Sequence, residues 1–134
     1  MIVETKEGNI LMEKHIAVIM NDKGEVEPKI AKIIEEKFGK EILSDIGEHI
    51  IGAVVPLMLQ SGTIIYAMSC YCSVNGWGEN HSEIIKKCLN KIPIKEKEYL
   101  AMFEFEQDVK GLNQASVYEG MEGAKNKIKI YLEV

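Results

Sequence analysis

Short apolar runs alternate with amphipathic stretches along this chain. His15 to Met20 (HIAVIM) is mostly apolar and only six residues long, which predicts a strand buried on both faces. Ile2 to Lys6 predicts a short strand ahead of it, and Ala53 to Leu59, Gly62 to Cys72 and Tyr99 to Phe105 predict three more. The run from Gly62 is rich in β-branched and aromatic residues, which fit a pleated surface. Between these runs the apolar period lengthens. Ile30, Ile33, Ile34 and Phe38 recur at helical spacing after Pro28, and Gly39 follows directly. Proline in the first turn and glycine just past the last are the expected ends of a helix. Glu41 to Ile51 predicts a further turn or two. Ser82 is placed to cap a helix with Ile84, Ile85, Cys88, Leu89 and Ile92 inward and Lys86, Lys87 and Lys91 outward. Asn113 is placed to cap another, with Val117, Met121 and Ala124 inward. Lys127 to Val134 (KIKIYLEV) alternates, with Ile128, Ile130, Leu132 and Val134 on one face. Its charges predict a strand with one exposed face or at a sheet edge, where it could pair with a second copy.

Strands alternating with helices give the α/β class: three layers, α/β/α, with a mixed central sheet of about six strands. No repeat or low-complexity linker interrupts the chain, so residues 1–134 read as one domain. A chain this long buries roughly two-thirds of its unfolded surface and needs no disulfide or metal staple. Ligands in such folds bind beyond the C-terminal ends of the strands. The loops that matter are therefore Asn21 to Glu27, Ser69 to Asn80 and Glu106 to Asn113.

Composition narrows the partners. Sixteen lysines, no arginine and twenty-one acidic residues give a net charge of −5. This argues against nucleic acid and anionic membranes as partners. Bidentate arginine clamps on phosphate are excluded outright. No apolar run approaches the roughly 20 residues of a membrane span. MIVETKEGNI lacks the basic and apolar regions of a signal peptide, and three cysteines are an odd number. The expectation is a cytoplasmic chain with reduced thiols. Abundant isoleucine and lysine without arginine is what an AT-rich genome produces, whether of a low-GC bacterium or of a virus infecting one.

The same loops carry a family resemblance. Gly8-Asn9-Ile10, IAVIMN at 16–21, KIAKIIEEKFG at 29–39, IIYAMS at 64–69, YLAMFEFEQDVKGL at 99–112 and the final KIKIYLEV follow one another in order. In that order and spacing the chain resembles a macrodomain, the fold that binds ADP-ribose. It is most similar to the small branch that removes ADP-ribose from acidic side chains or dephosphorylates ADP-ribose-1″-phosphate. The resemblance implies an ADP-ribose-like or other nucleotide ligand. It places that ligand against Asn9, Asn21, Lys23, Lys29, Ser69, Cys70, Glu106, Gln107, Asp108 and Lys110. No metal or further cofactor is implied.

The departures from the family pattern are chemical. Its first phosphate loop, Met-Gly-x-Gly, is matched by Val26, Glu27, Pro28 and Lys29. Glycine loops work by bringing bare backbone N–H groups to a diphosphate, and Pro28 has none. The second loop, Gly-Cys-Gly-Leu-Asp-Gly, is matched by Glu106 to Gly111, so carboxylates replace two glycines. A carboxylate about 4 Å from a phosphate costs on the order of 1–4 kcal/mol. Lys23, Lys29 and Lys110 would offset part of this. The branch's catalytic lysine and aspartate are matched by Cys70 and Lys110. Cysteine cannot form a Schiff base with opened ribose, and lysine is a poor general base unless its pKa falls far. Asn9, at the adenine position, can still accept from an exocyclic amine.

The resemblance with these departures predicts a catalytically degenerate domain that binds a nucleotide or ADP-ribose derivative without turnover. One alternative is a protein-interaction module on the same scaffold, with acidic loops and Trp77 meeting the partner. The other is a residual ADP-ribosyl hydrolase. Glu104, Glu106 and Asp108 alternate, so they should share a face, as solvated charge or as a site for a basic partner. Cys70, Cys72, Cys88, His15, His49 and His81 lack the spacing of a metal site. His81 is the nearest candidate partner for a Cys70 dyad.

Overall fold

The computed structural model describes residues 1–75 and 79–132. Among these it contains six strands and four α-helices: β1 Ile2–Thr5, β2 His15–Asn21, α1 Pro28–Phe38, α2 Glu41–Ser44, β3 Val54–Met58, β4 Ile64–Tyr71, α3 His81–Asn90, β5 Tyr99–Phe103, α4 Gln114–Gly123 and β6 Lys127–Tyr131. A 3-10 turn, Ile10–Met12, lies between β1 and β2. The strands form one sheet in the order β1-β6-β5-β2-β4-β3. All neighbours are parallel except β3 and β4, so the sheet is mixed.

Strand alternation sends side chains to two separate cores. From β2, Ala17 joins the cluster formed with Ile85 and Leu89 of α3 and Val117 and Met121 of α4. Ile16, Val18 and Met20 join the other, with Ile34 of α1, Leu43 of α2 and Ile10. Helices thus cover both faces, and β2, in the middle of the sheet, is apolar from Ile16 to Met20 because both of its faces are packed. β3 tolerates Pro56 because it is an edge strand.

Most predicted elements are present, with shorter ends. The further turn or two expected within Glu41 to Ile51 is the single turn Glu41–Ser44. Asn80, not Ser82, caps α3: its side chain accepts from Glu83 N at 3.2 Å, and Ser82 instead donates to Asn80. Asn113 caps α4 as expected, in a reciprocal capping box with Ser116. Strand β5 ends at Phe103, so Glu104, Glu106 and Asp108 lie beyond it on irregular backbone and not on a shared strand face.

Strand β6 corrects the edge expectation. It lies between β1 and β5, with parallel partners on both sides. Its alternation reports a polar face only. Ile128 and Ile130 are buried under α3 and α4, while Lys129 lies 5.3 Å from the Tyr131 ring centroid and 3.4 Å from Glu13. Pairing of this strand with a second copy is therefore blocked by the chain itself. Trp77 and Val134 lie outside the described residues.

Candidate functional site

Strands β2, β4 and β5 run parallel, so their following connections leave the same end of the sheet. The described parts of these connections, 22–27, 72–75, 79–80 and 104–113, bound the candidate site, as expected for an open α/β sheet. A register shift between Met20 and Asn21 pairs Met20 with Ser69 but Asn21 with Tyr71, leaving Cys70 as a bulge where β2 and β4 end.

Asn21 organises its own turn. Its Oδ1 accepts from the N–H groups of Lys23 and Glu25, both at 3.0 Å, and its Nδ2 donates to Glu25 Oε1. This is the local competition by which asparagine builds turns. Every polar atom of that side chain is thus engaged within five residues. Lys23 is exposed.

Asp22 is the hub of the site, and sequence reasoning missed it. Its Oδ1 accepts from Ser73 N at 2.7 Å, and its Oδ2 lies 3.9 Å from Cys72 Sγ. Its backbone N–H donates to Tyr71 O, and its carbonyl accepts from His49 N at 2.8 Å. The Ser73 N–H bond holds the Asp22 carboxyl below its usual range. Asn-Asp-Lys-Gly was the available signal, being a strong turn sequence. Beside Asp22, an open hollow of about 480 Å³ is bounded by Glu48, His49, Ile50 and Ile51.

Ser69 is buried and donates to His49 O at 3.3 Å, while its backbone pairs with Gly52 and Ala53. It fastens the segment before β3 to β4. Cys70 is fully buried in the core cluster with Cys88. Its thiol is pushed up by a hydrogen bond with Cys88 and by burial. Asn9 is exposed and accepts from Leu11 N at 2.9 Å, capping the 3-10 turn.

Three of the ten expected site residues, Lys29, Glu106 and Gln107, line one cleft between α1 and the segment after β5. Its floor is Ile19, Ile30, Ile33, Phe103 and Phe105, and Glu27, Glu104 and Tyr131 complete its walls. Its volume is about 80 Å³. Pockets for drug-sized ligands run to roughly 300–1,000 Å³, so this one admits a side chain and not a whole nucleotide. Ile30 and Ile33 belong to the apolar stripe of α1. Only Ile34 of that helix is fully buried, and the surplus apolar width is what the cleft exposes.

Glu27 determines the electrostatics. It is the N-cap of α1, and its Oε2 accepts from Ile30 N at 3.0 Å. A carboxylate already occupies the helix end that would otherwise attract a phosphate. Asp108 is exposed. Lys110 and Gly111 form a two-residue turn closed by the Val109–Leu112 pair, with φ of 52° at Lys110.

At the start of α3, His81 Nε2 lies 3.6 Å from Glu79 Oε2, and both atoms are buried with no hydrogen-bond partner among the described residues. Among the described residues, no group of three or more His, Cys, Asp or Glu side chains is placed to hold a metal ion. No helix among them is long and apolar enough to cross a membrane. Comparison with known protein families matches no family model, and comparison with curated proteins gives no match.

Proposed function

We propose that this chain is a non-catalytic interaction module on a macrodomain-like α/β/α scaffold, and that it engages a basic side chain of a partner protein. The observation that carries this reading is the small apolar cleft walled by Glu27, Glu104 and Glu106. A lysine stem fits an apolar floor while its ammonium meets carboxylates at the rim. Among the described lining residues Lys29 is the only cation, which leaves a surplus of negative charge. The occupied α1 N-terminus and the buried Cys70 both count against a diphosphate ligand and its turnover.

A nucleotide or ADP-ribose derivative without turnover is the second reading. It is favoured by the hollow of about 480 Å³ beside Asp22, at the same end of the sheet. Its acidic lining suits a ligand that is cyclised or carries little negative charge. Residual hydrolysis ranks below both, because Cys70 and Lys110 stand where the hydrolase branch this chain resembles carries a lysine and an aspartate.

Calorimetry separates the readings. The chain is titrated with a lysine-containing peptide, its lysine-acetylated form, ADP-ribose, NAD, ADP and cyclic ADP-ribose. Salt-sensitive binding of the unmodified peptide alone is the expected result. Micromolar binding of any nucleotide, with silence for the peptides, would replace the first reading by the second.

A further inference from the structure

A third concavity runs along β3 and the first half of β4, on the α3 side of the sheet. Val54, Pro56 and Met58 of edge strand β3 form one wall, and Ile64 and Tyr66 of β4 form the base. Lys91 and Pro93, just after α3, close it. Its volume is about 360 Å³, within the usual range for small-ligand sites. Met58 is 79% exposed and Pro56 is also exposed, so this wall is open to solvent.

The polar groups here are few and fixed. Tyr66 is buried, and its hydroxyl is tied to His15 Nδ1 at 3.1 Å. His15 Nε2 in turn lies 3.5 Å from Glu98 Oε2. The His15 and Tyr66 rings are stacked, with centroids 5.9 Å apart. Tyr66 is therefore a rigid part of the base, held from behind by His15 of β2 and, through it, Glu98 on the approach to β5. Burial raises the Tyr66 phenol, so it stays protonated at neutral pH. Among the described lining residues Lys91 is the only charged one. Its Nζ donates to Gly52 O at 2.6 Å, which pins the ammonium at the mouth with two donors to spare.

We propose that this groove binds a small amphipathic carboxylate, with its hydrocarbon body along Val54, Met58, Ile64 and Tyr66 and its head at Lys91. The apolar walls supply affinity and the single pinned cation supplies the sign of the charge. Pro56 has no N–H, which weakens β3 as a template for an added strand and favours a ligand on the face over a peptide on the edge. The site shares no residue with the acidic cleft, so the two readings stand or fall separately.

The test is a series of straight-chain carboxylates titrated into ¹⁵N-labelled protein. Saturable shifts should appear at Val54, Met58, Ile64 and Lys91. Affinity should rise about three- to fourfold per methylene from hexanoate to octanoate. Lys91→Gln should weaken octanoate about fivefold or more and leave octanol unchanged. Met58→Glu, at an exposed position, should abolish both. Three results would overturn the proposal: no saturable shift up to about 10 mM octanoate, equal octanoate affinity in Lys91→Gln, or light scattering that shows a second copy covering this face.

Discussion

Asp22 Oδ1 accepts the backbone N–H of Ser73 at 2.7 Å, which joins the connection after β2 to the connection after β4. The two residues are 51 positions apart, and this contact holds two walls of the candidate site in register. Because the Ser73 bond depresses the folded-state pKa of Asp22, its stabilisation is complete above the unfolded value, near pH 4. It is lost as pH falls through the lower folded value. Asp22→Asn keeps an acceptor but removes this dependence. The difference in urea midpoint between wild type and variant should therefore be larger at pH 7 than at pH 3. Equal differences at both values would remove Asp22 from the acid response.

Glu27 does two things at once: it caps α1 and charges the cleft. Glu27→Ala should cost about 0.5–2 kcal/mol in chemical denaturation through loss of the cap. Glu27→Gln keeps an oxygen acceptor for Ile30 N and should recover much of that stability. Peptide binding should fall in both variants. Normal peptide affinity in Glu27→Gln would take the carboxylate out of the recognition scheme.

Helices α3 and α4 meet closely at Gly120. A Cβ there would lie 2.7 Å from Ser82 O and 2.8 Å from Ile85 Cβ, with backbone on one side. Gly120→Ala should destabilise the chain by about 1–3 kcal/mol despite alanine's better helix propensity. Gly123→Ala is the matched control. Its Cβ would lie 3.1 Å from Cδ of the flexible Lys86 side chain, so a neutral or stabilising change is expected. Thermal melts of the two variants should diverge.

Lys110 holds φ of 52°, the only positive value among non-glycine residues described here. A side chain in this region costs about 1–2 kcal/mol. Lys110→Gly relieves that cost and adds backbone entropy to the unfolded chain, for a net gain of about 0.5–1 kcal/mol in urea unfolding. A loss of stability would mean that the lysine makes a contact worth more than the strain.

How much was legible in advance differs between the fold and the site. The α1 boundaries were readable because Pro28 and Gly39 bracket a clear helical period. The α3 cap was misplaced because Asn80 and Ser82 are both good capping residues, and only the backbone path selects Asn80. Strand β6 was misjudged because alternation reports which face is polar and says nothing about lateral neighbours; β1 pairs across more than 120 residues to cover it.

The site shows the same division more sharply. The expected ligand residues are polar, and three of them spend hydrogen-bonding groups on the scaffold: Asn9 on a 3-10 turn, Asn21 on its own loop, Ser69 on the segment before β3. Sequence by itself determined the alternation of elements, the acidic balance and the carboxylates carried by the loops 22–27 and 104–113, because propensity, charge and side-chain type are local properties. Tertiary structure alone decided that Cys70 faces the core, that Asp22 ties two loops together and that the cleft is small. Those facts depend on which surfaces β2, β4 and α1 bring into contact, and close packing of distant segments leaves no periodic trace in any one of them.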